Sequence, residues 1–242
     1  MLAYGIVVYG KRHGGEWGKG YILLGRLCIN MAILDWEFIL GELPTLNKDI
    51  KLSGYYSLDT GYGNTIHAVH TATYSASPKN ARVSTWFTGG GGSFISILGA
   101  IFRKQKDKNT YFYCYIKMHL KPFSGEMSVN DFVVGYYIDG TQYQVATEEI
   151  NRDYKDLEYP DKWGFVYFDA FEHGGKMHFY VWLVPKVDNP DPEYPPFAVA
   201  ENLSAISVEI PEELKNGGAV GIIVGNPEYS GRVLIDYTQI YY

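Results

Sequence analysis

Apolar and polar residues alternate in short runs along most of this chain, and clusters of glycine, asparagine and aspartate separate the runs. Alternation with a period of two indicates strands that turn one face toward a core. We expect at most short helical turns at 148–155 and 212–215, and irregular backbone at 55–62. The pattern therefore predicts an all-β, mainly antiparallel sandwich. The predicted strands span residues 2–9, 21–29, 33–40, 81–88, 94–104, 110–120, 131–138, 163–172, 177–184, 205–210, 219–224 and 232–241.

The segment 163–184 gives the most specific prediction, because Gly174 and Gly175 indicate a two-residue hairpin turn. Counting outward from this turn pairs Glu172 with Met177, and successive side chains then alternate between two faces. The predicted core face carries Val166, Phe168, Ala170, Met177, Phe179 and Val181. The predicted opposite face carries Tyr167, Asp169, Phe171, His178, Tyr180 and Trp182.

The strand at 110–120 divides in the same way, with tyrosines on its non-core side. We therefore expect an aromatic-polar sheet face that binds a partner. Flat rings with a few polar groups suit carbohydrate, and they suit a contact between subunits equally well. A third interpretation is that loops or residues 1–80 cover this face and form a second core layer on it. The candidate binding residues are Tyr113, Tyr115, Tyr180 and Trp182 for stacking, Asp169 and His178 for hydrogen bonds, and Tyr167 beside them.

Two stretches carry family-like motifs. One predicted strand ends in Phe102 and Arg103, a turn follows at 107–109, and an aromatic strand begins at Tyr111. The final strand follows a glycine-rich strand and carries Asp236 at its acidic position. Over residues 81–242 these motifs resemble the LamG-like jelly rolls of the concanavalin-A-like lectin and glucanase superfamily. The resemblance implies one domain over 1–242, in which residues 1–80 form a β-rich extension of a jelly-roll sandwich.

That superfamily contains lectins, glycosidases, polysaccharide lyases and structural modules, so the resemblance leaves the function open. Its glucanases commonly place their carboxylates in an E-x-D-x-x-E pattern, which this sequence lacks. The nearest pairs are Asp35 with Glu37, which would share a strand face, and Asp169 with Glu172, which alternation places on opposite faces. The acidic segment 188–193 could offer oxygen ligands to calcium, although a solvated proline-rich loop is the plainer interpretation.

Composition narrows the partners. The formal net charge is −6 and no basic run offsets it, so we expect no nucleic-acid partner. Charged residues interrupt the most apolar stretch, 21–40, so we expect no membrane insertion. No signal peptide is evident at the N-terminus, and an extracellular, cell-surface or virion location is the favoured expectation. The 22 tyrosines and only four glutamines point weakly to a thermophilic source.

Cys28 and Cys114 could form a disulfide, or Cys114 could be a buried free thiol. No metal-ligand spacing accompanies them, and we expect no metal and no cofactor. The sequence thus favours a non-enzymatic surface or assembly module whose partner is carbohydrate or further copies of the chain in a homo-oligomer. The alternative is a glycan-cleaving enzyme, a glycoside hydrolase or polysaccharide lyase, with Asp and Glu residues in the same cleft.

Overall fold

The computed structural model describes residues 7–11, 17–22, 36–40, 45–47, 49–52, 57–60, 66–71, 77–91, 94–106, 108–228 and 231–242. Within these ranges no helix is long and apolar enough to cross a membrane. Short 3₁₀ helices lie at Pro122–Ser124, Phe197–Val199 and Glu212–Leu214. The strands are β1 Val7–Lys11, β2 Trp17–Ile22, β3 Trp36–Leu40, β4 Thr45–Asn47, β5 Ser57–Asp59, β6 Ile66–Thr71, β7 Ala81–Gly91, β8 Phe94–Lys104, β9 Tyr111–Lys121, β10 Glu126–Ile138, β11 Thr141–Tyr154, β12 Trp163–His173, β13 Lys176–Val187, β14 Glu201–Glu209, β15 Ala219–Glu228 and β16 Gly231–Tyr241.

These strands pair in an antiparallel manner into two sheets. Sheet A has the order β1-β2-β16-β7-β12-β13-β14, with β4 and β5 attached beside β16, and sheet B has the order β11-β10-β9-β8-β15-β6-β3. The chain crosses between the sheets from β7 to β8, from β11 to β12, from β14 to β15 and from β15 to β16. Repeated crossing of this kind is the winding of a jelly roll. The predicted antiparallel β-sandwich of jelly-roll type is confirmed.

Strands from the first eighty residues lie in both sheets. The hairpin β1–β2 pairs with β16 in sheet A, and β3 and β6 extend sheet B beyond β15. Strand β2, Trp17–Ile22, overlaps the strand predicted at 21–29 only at its last two residues, and residues 23–29 lie outside the described ranges. A short strand, β5, also occupies part of the stretch predicted to be irregular.

The main core lies between the two sheets and is built from the inward-facing residues of the long strands. Phe179 of sheet A contacts Phe102 and Phe112 of sheet B with ring centroids 6.0 and 5.6 Å apart, in edge-to-face geometry. Phe168 and Val181 lie in the same cluster and are almost completely buried. Edge-to-face rings add attraction beyond the burial of their area, so these contacts fix how the two sheets face one another.

The helical turn predicted at 148–155 is wrong, because these residues form the second half of β11. Among the described strands, β11 is an edge of sheet B and pairs with β10 alone. Its side chains are mostly exposed, which removes the alternation that identifies half-buried strands. Charged residues on an edge strand also discourage pairing with other chains. The turn expected at 212–215 is confirmed as the 3₁₀ helix Glu212–Leu214.

Arg103, the second residue of the Phe-Arg motif, is completely buried at the end of β8. Its guanidinium donates to the carbonyl oxygens of Lys79 and Leu214 at 2.9 and 2.8 Å and to Glu172 Oε2 at 2.7 Å. These bonds join β8 to the entry of β7, to the 3₁₀ helix before β15 and to the end of β12. The hydrogen bond from Arg103 lowers the pKa of Glu172. Arg103 therefore holds one end of the sandwich together.

Cys114 is a free, completely buried thiol in the middle of β9, as one of the two cysteine readings proposed. Cys28 lies outside the described residues. Burial strongly raises the pKa of the Cys114 thiol, so its reactive thiolate form is suppressed. In a Cys28→Ser variant we expect Ellman's reagent to react with Cys114 only as fast as the protein unfolds, and at once in urea. Rapid, complete labelling of the native protein would contradict this burial.

Candidate functional site

The register of the β12–β13 hairpin is the predicted one. Glu172 pairs with Met177, and Asp169 pairs with Tyr180, in agreement with counting from the double-glycine turn. Gly174 and Gly175 have φ values of 60° and 79°, which two-residue turns of this kind require and glycine adopts without strain. The predicted core residues of both strands lie in the main core. The other face of the hairpin is the outer face of sheet A.

The candidate binding residues do not form one surface. Tyr113 and Tyr115 lie on β9, which pairs with β8 and β10 in sheet B. Tyr167 and Asp169 lie on β12 in sheet A. Both groups turn away from the shared core, so they occupy opposite outer faces of the sandwich. The expectation of a single site containing all of them is wrong, because alternation identifies the non-core side of a strand but not the sheet to which the strand belongs.

On sheet B, the tyrosines pack on one another. The Tyr113 ring lies 6.0 Å from Tyr115 and 5.7 Å from Tyr137, and Tyr111 stacks on Tyr137 at 4.9 Å. Tyr113 is only 1% exposed, and its hydroxyl accepts a hydrogen bond from Gln142. Burial raises the pKa of the Tyr113 and Tyr115 phenols. Tyr113 therefore acts as a packing residue in this structure and not as an open stacking platform.

On sheet A, part of the outer face is covered by a second apolar layer, as the third reading of the sequence anticipated. Tyr167 stacks on Trp182 at 5.7 Å, and the ring of Phe197 stands edge-on over Tyr167 at 5.0 Å. Phe197 belongs to the proline-rich segment between β13 and β14, which folds back over the sheet. We call this layer the covered cluster: Trp86, Trp163, Phe165, Tyr167, Leu234 and Tyr237, with Trp182, Phe197, Ile50, Leu52, Val184, Val187 and Ala200 packed against them.

Beyond the covered cluster, toward the hairpin turn, the outer face of sheet A is open. Phe171, His178 and Tyr180 form what we call the ring shelf. The Phe171 ring stacks on Tyr180 at 5.4 Å with an interplanar angle of 8°, and on His178 at 5.3 Å with an angle of 20°. Phe171 is 39% exposed although it is a large apolar residue. The three rings thus form a stack of nearly parallel planes, and an exposed apolar group of this kind is typical of contact surfaces.

An ion pair borders the ring shelf on the side of β7. Arg82 makes two hydrogen bonds to Asp169, with Nε–Oδ1 and Nη2–Oδ2 distances of 2.6 and 2.8 Å. The same guanidinium lies over the Tyr167 ring, 4.6 Å from its centroid. Strand register places Arg82, Asp169 and Tyr180 side by side on three adjacent strands. The pair is geometrically fixed and both side chains are partly exposed, so it can offer hydrogen bonds in a defined direction.

On the side of β14, Ser207 and the imidazole of His178 form a polar border. His178 Nε2 lies 3.2 Å from the carbonyl oxygen of His173, and Nδ1 lies 2.7 Å from Ser207 Oγ. A carbonyl can only accept, so the neutral ring carries its hydrogen on Nε2. Nδ1 then accepts a hydrogen bond from the Ser207 hydroxyl. Both ring nitrogens are satisfied within the protein, and this orients the imidazole plane parallel to Phe171.

The proposed carboxylate pairs have different surroundings. Asp169 faces Arg82 on the outer face, whereas Glu172 binds buried Arg103, so the two lie on opposite faces as predicted. Asp35 of the other pair lies outside the described residues. In the acidic loop, Asp188 lies 3.9 Å from Lys162 and Asp191 accepts a hydrogen bond from the Glu193 amide. Within the part of the chain that is described, no group of three or more His, Cys, Asp or Glu residues is placed to hold a metal ion.

Three residues of this surface, Phe171, Arg82 and Ser207, are not among the binding residues that the sequence predicts. Alternation places Phe171 on the correct face, and its pairing with His178 across the turn is the signal that identifies it as a binding residue. Arg82 and Ser207 come from β7 and β14, whose pairing with β12 and β13 spans long sequence separations. Local pattern carries no information on such pairing, so no signal in the sequence identifies them.

Comparison with known proteins gives no matching family model. No curated protein matches the sequence either. Among solved structures, the chain is similar to the carbohydrate binding module CBM66 from Bacillus subtilis (10% identity, 85% of this chain and 94% of that chain, TM-score 0.46). It is similar to the exoplasmic/lumenal domain of VIP36 in its Ca²⁺/Man3GlcNAc-bound form (12% identity, 86% and 84%, TM-score 0.45). It is also similar to the potassium-bound carbohydrate recognition domain of Emp46p (11% identity, 91% and 96%, TM-score 0.48).

Proposed function

We propose that this protein is a non-enzymatic carbohydrate-binding module of the concanavalin-A-like kind, and that its ring shelf stacks on a sugar. The observation that carries the proposal is the partly exposed Phe171 ring, held parallel to Tyr180 and nearly parallel to His178 in a stack of three rings. Pyranose rings present flat C–H faces that need apolar partners, and hydroxyls that need directional ones. The ring shelf supplies the first, while Asp169, Arg82 and Ser207 at its two borders supply the second.

Rigidity favours this role over a chance exposed patch. The stacking residues are on paired strands of a sheet and not on loops, so little conformational freedom is lost on binding. The Arg82–Asp169 pair and the His178–Ser207 bond fix the polar borders before a ligand arrives. In the proposal, Tyr180 and Phe171 stack on the ligand. Asp169 and His178 either bind its hydroxyls or orient Arg82 and Ser207, which bind them.

The proposal is tested by Phe171→Ala and Tyr180→Ala. We expect glycan-array screening of the unaltered protein to give a ligand, and each variant to bind it roughly tenfold or more weakly, because a stacking contact at the centre of a site is lost. Isothermal titration measures the affinities. Phe123→Ala is the matched control, since Phe123 is 90% exposed on the turn between β9 and β10, away from the shelf, and its loss should leave affinity unchanged.

Other outcomes would replace the proposal. If the array shows no binding, and analytical ultracentrifugation shows an oligomer that dissociates in Phe171→Ala, the shelf is a contact between subunits. If the protein releases reducing sugar and Asp169→Asn abolishes this, the glycan-cleaving alternative is correct. Retained affinity in both Phe171→Ala and Tyr180→Ala would show that the sugar binds elsewhere.

A further inference from the structure

The covered cluster contains an unusual set of unsatisfied polar atoms. Trp86 Nε1, Trp182 Nε1 and the Tyr237 hydroxyl are buried, and among the described residues none lies within hydrogen-bonding distance of them. Folded proteins rarely leave buried donors without partners, because each loses its hydrogen bond to water and gains nothing in return. All three can donate, and all three belong to the same layer. Three donors in one layer therefore have unused hydrogen-bonding capacity.

One part of the cover over this cluster, beside Ile50 and Leu52, is a segment that carries its own turn structure. Residues 188–200, which we call the strap, hold hydrogen bonds among themselves: Tyr194 N to Asp191 O at 3.1 Å, and Phe197 N to Pro195 O at 2.9 Å. Among the described residues, their other backbone–backbone bonds outside strand ladders are also internal, from Val199 to Pro196 and from Ala200 to Phe197. Lifting the strap would therefore leave its own turn structure and the sheet ladders intact.

Among the described residues, the strap is attached to the sheet by side-chain hydrogen bonds, by the ion pairs of Asp188 with Lys162 and Lys186, and by the packing of Phe197 and Ala200. Gln239 Nε2 donates to Pro192 O at 3.4 Å, and Lys162 Nζ donates to Asp188 O at 3.2 Å, next to the end of β13. The ring of Phe197 supplies the main apolar contact: it packs on Phe165, Tyr167 and Tyr241, and the Arg82 guanidinium lies 5.1 Å from its centroid. Tyr194 and Val199 of the strap are 77% and 73% exposed and hold it little. Phe197 is thus the main side chain with which the strap covers this cluster.

We propose that the strap is a displaceable cover over a second carbohydrate subsite, in which Tyr167 and Trp182 extend the ring shelf. This inference rests on the proposed function. Tyr167 and Trp182 pair directly with each other one pleat repeat from Asp169 and Tyr180, about 7 Å along the strands. With the strap displaced, the stacked rings run continuously along β12 and β13. In the proposal, the buried donors Trp86 Nε1, Trp182 Nε1 and Tyr237 Oη become accessible when the strap is displaced, and they suit the acceptor oxygens of sugar hydroxyls and glycosidic links.

The ligand class that follows is an oligosaccharide and not a single sugar. A monosaccharide fills the ring shelf and leaves the strap in place, whereas a longer chain reaches the covered cluster and must displace Phe197. Displacement reduces the apparent affinity, because only the fraction of molecules with an open strap is competent for the longer mode. Removing the Phe197 ring should therefore increase the affinity for oligosaccharides and leave the affinity for monosaccharides unchanged.

The test compares affinities for a monosaccharide and for a tetrasaccharide of the sugar identified on the array. Phe197→Ala should bind the tetrasaccharide several-fold more tightly than the unaltered protein and the monosaccharide equally well. Trp182→Phe, which keeps a ring but removes the indole donor, should weaken the tetrasaccharide alone. Tyr194→Ala, on the exposed side of the same strap, is the control and should change neither affinity.

Hydrogen–deuterium exchange of the unaltered protein gives a measurement that does not depend on the variants folding. Amides of 188–200 should exchange faster when the tetrasaccharide is bound and at the free rate when the monosaccharide is bound. Equal affinities for the two ligands, or slower strap exchange with the tetrasaccharide, would overturn the strap inference while leaving the ring shelf as a single-sugar site. Failure of both ligands to bind would instead overturn the proposed function.

Discussion

Replacing Arg103 with methionine should lower the free energy of unfolding by about 2–4 kcal/mol, because three hydrogen bonds donated by a completely buried guanidinium are lost. Methionine fills much of the same volume but leaves Glu172 and the carbonyl oxygens of Lys79 and Leu214 without their donor. Urea denaturation followed by tryptophan fluorescence measures the loss. Arg103→Lys should recover little, because one ammonium cannot reproduce three separate directions of donation.

Arg152→Met is the matched control for this prediction. Arg152 lies 3.5 Å from Glu201, but its side chain is 62% exposed, and exposed pairs contribute roughly 0–1 kcal/mol. The two variants remove the same charge and differ in burial. Equal, small losses of stability in both variants would show that the Arg103 contacts contribute little to the free energy of unfolding and do not hold the end of the sandwich together.

Gly99→Ala should destabilise the protein by about 3 kcal/mol, the upper part of the range for inserting a carbon atom into a packed interior. A Cβ at this position would lie 2.0 Å from the carbonyl oxygen of Cys114 and 2.5 Å from Tyr115 Cβ. These are atoms of the neighbouring strand, which cannot swing aside as the end of a flexible side chain could. The ladder between β8 and β9 must separate locally, so we expect a lower urea midpoint.

Gly174→Ala is the comparison for Gly99→Ala. Gly174 has a φ of 60° and no heavy atom within 4 Å of an added Cβ, so alanine there meets backbone strain alone, about 1 kcal/mol. The pair separates steric conflict within a sheet from the conformational preference of glycine in a turn. A larger loss from Gly174→Ala than from Gly99→Ala would contradict the close contact between β8 and β9.

The β12–β13 hairpin was predictable in full because everything that fixes it is local. The two glycines define the turn, the turn defines the register, and the register assigns Phe171 and His178 to one face and Phe179 to the other. Local alternation also gave most strand positions in the second half of the chain. It failed at β11, where an exposed edge strand has no apolar face to alternate with a polar one.

The site was less predictable, because it depends on contacts between distant segments. Whether a non-core face is open or covered is decided by what packs over it, and the strap that covers Tyr167 carries only one large apolar anchor, Phe197. The separation of Tyr113 from Tyr180 onto opposite sides of the molecule depends on sheet membership, which alternation does not encode. Tyr113 is buried because other tyrosines pack against it. The sequence shows that tyrosines are numerous but not which of them are neighbours in the fold.

The position of β16 affects how the protein is made. It lies between β2 and β7 in sheet A, and Gly231, its first residue, follows Gly91, the last residue of β7, by 140 positions. At about 5–20 residues per second, β7 waits roughly 7–28 s during translation before the partner for that edge emerges from the ribosome. Strand β8 is likewise synthesised well before β15, its partner on one edge. An unpaired, apolar strand edge is a site of misassociation, so the nascent chain has a period in which a chaperone that shields strands would raise its yield.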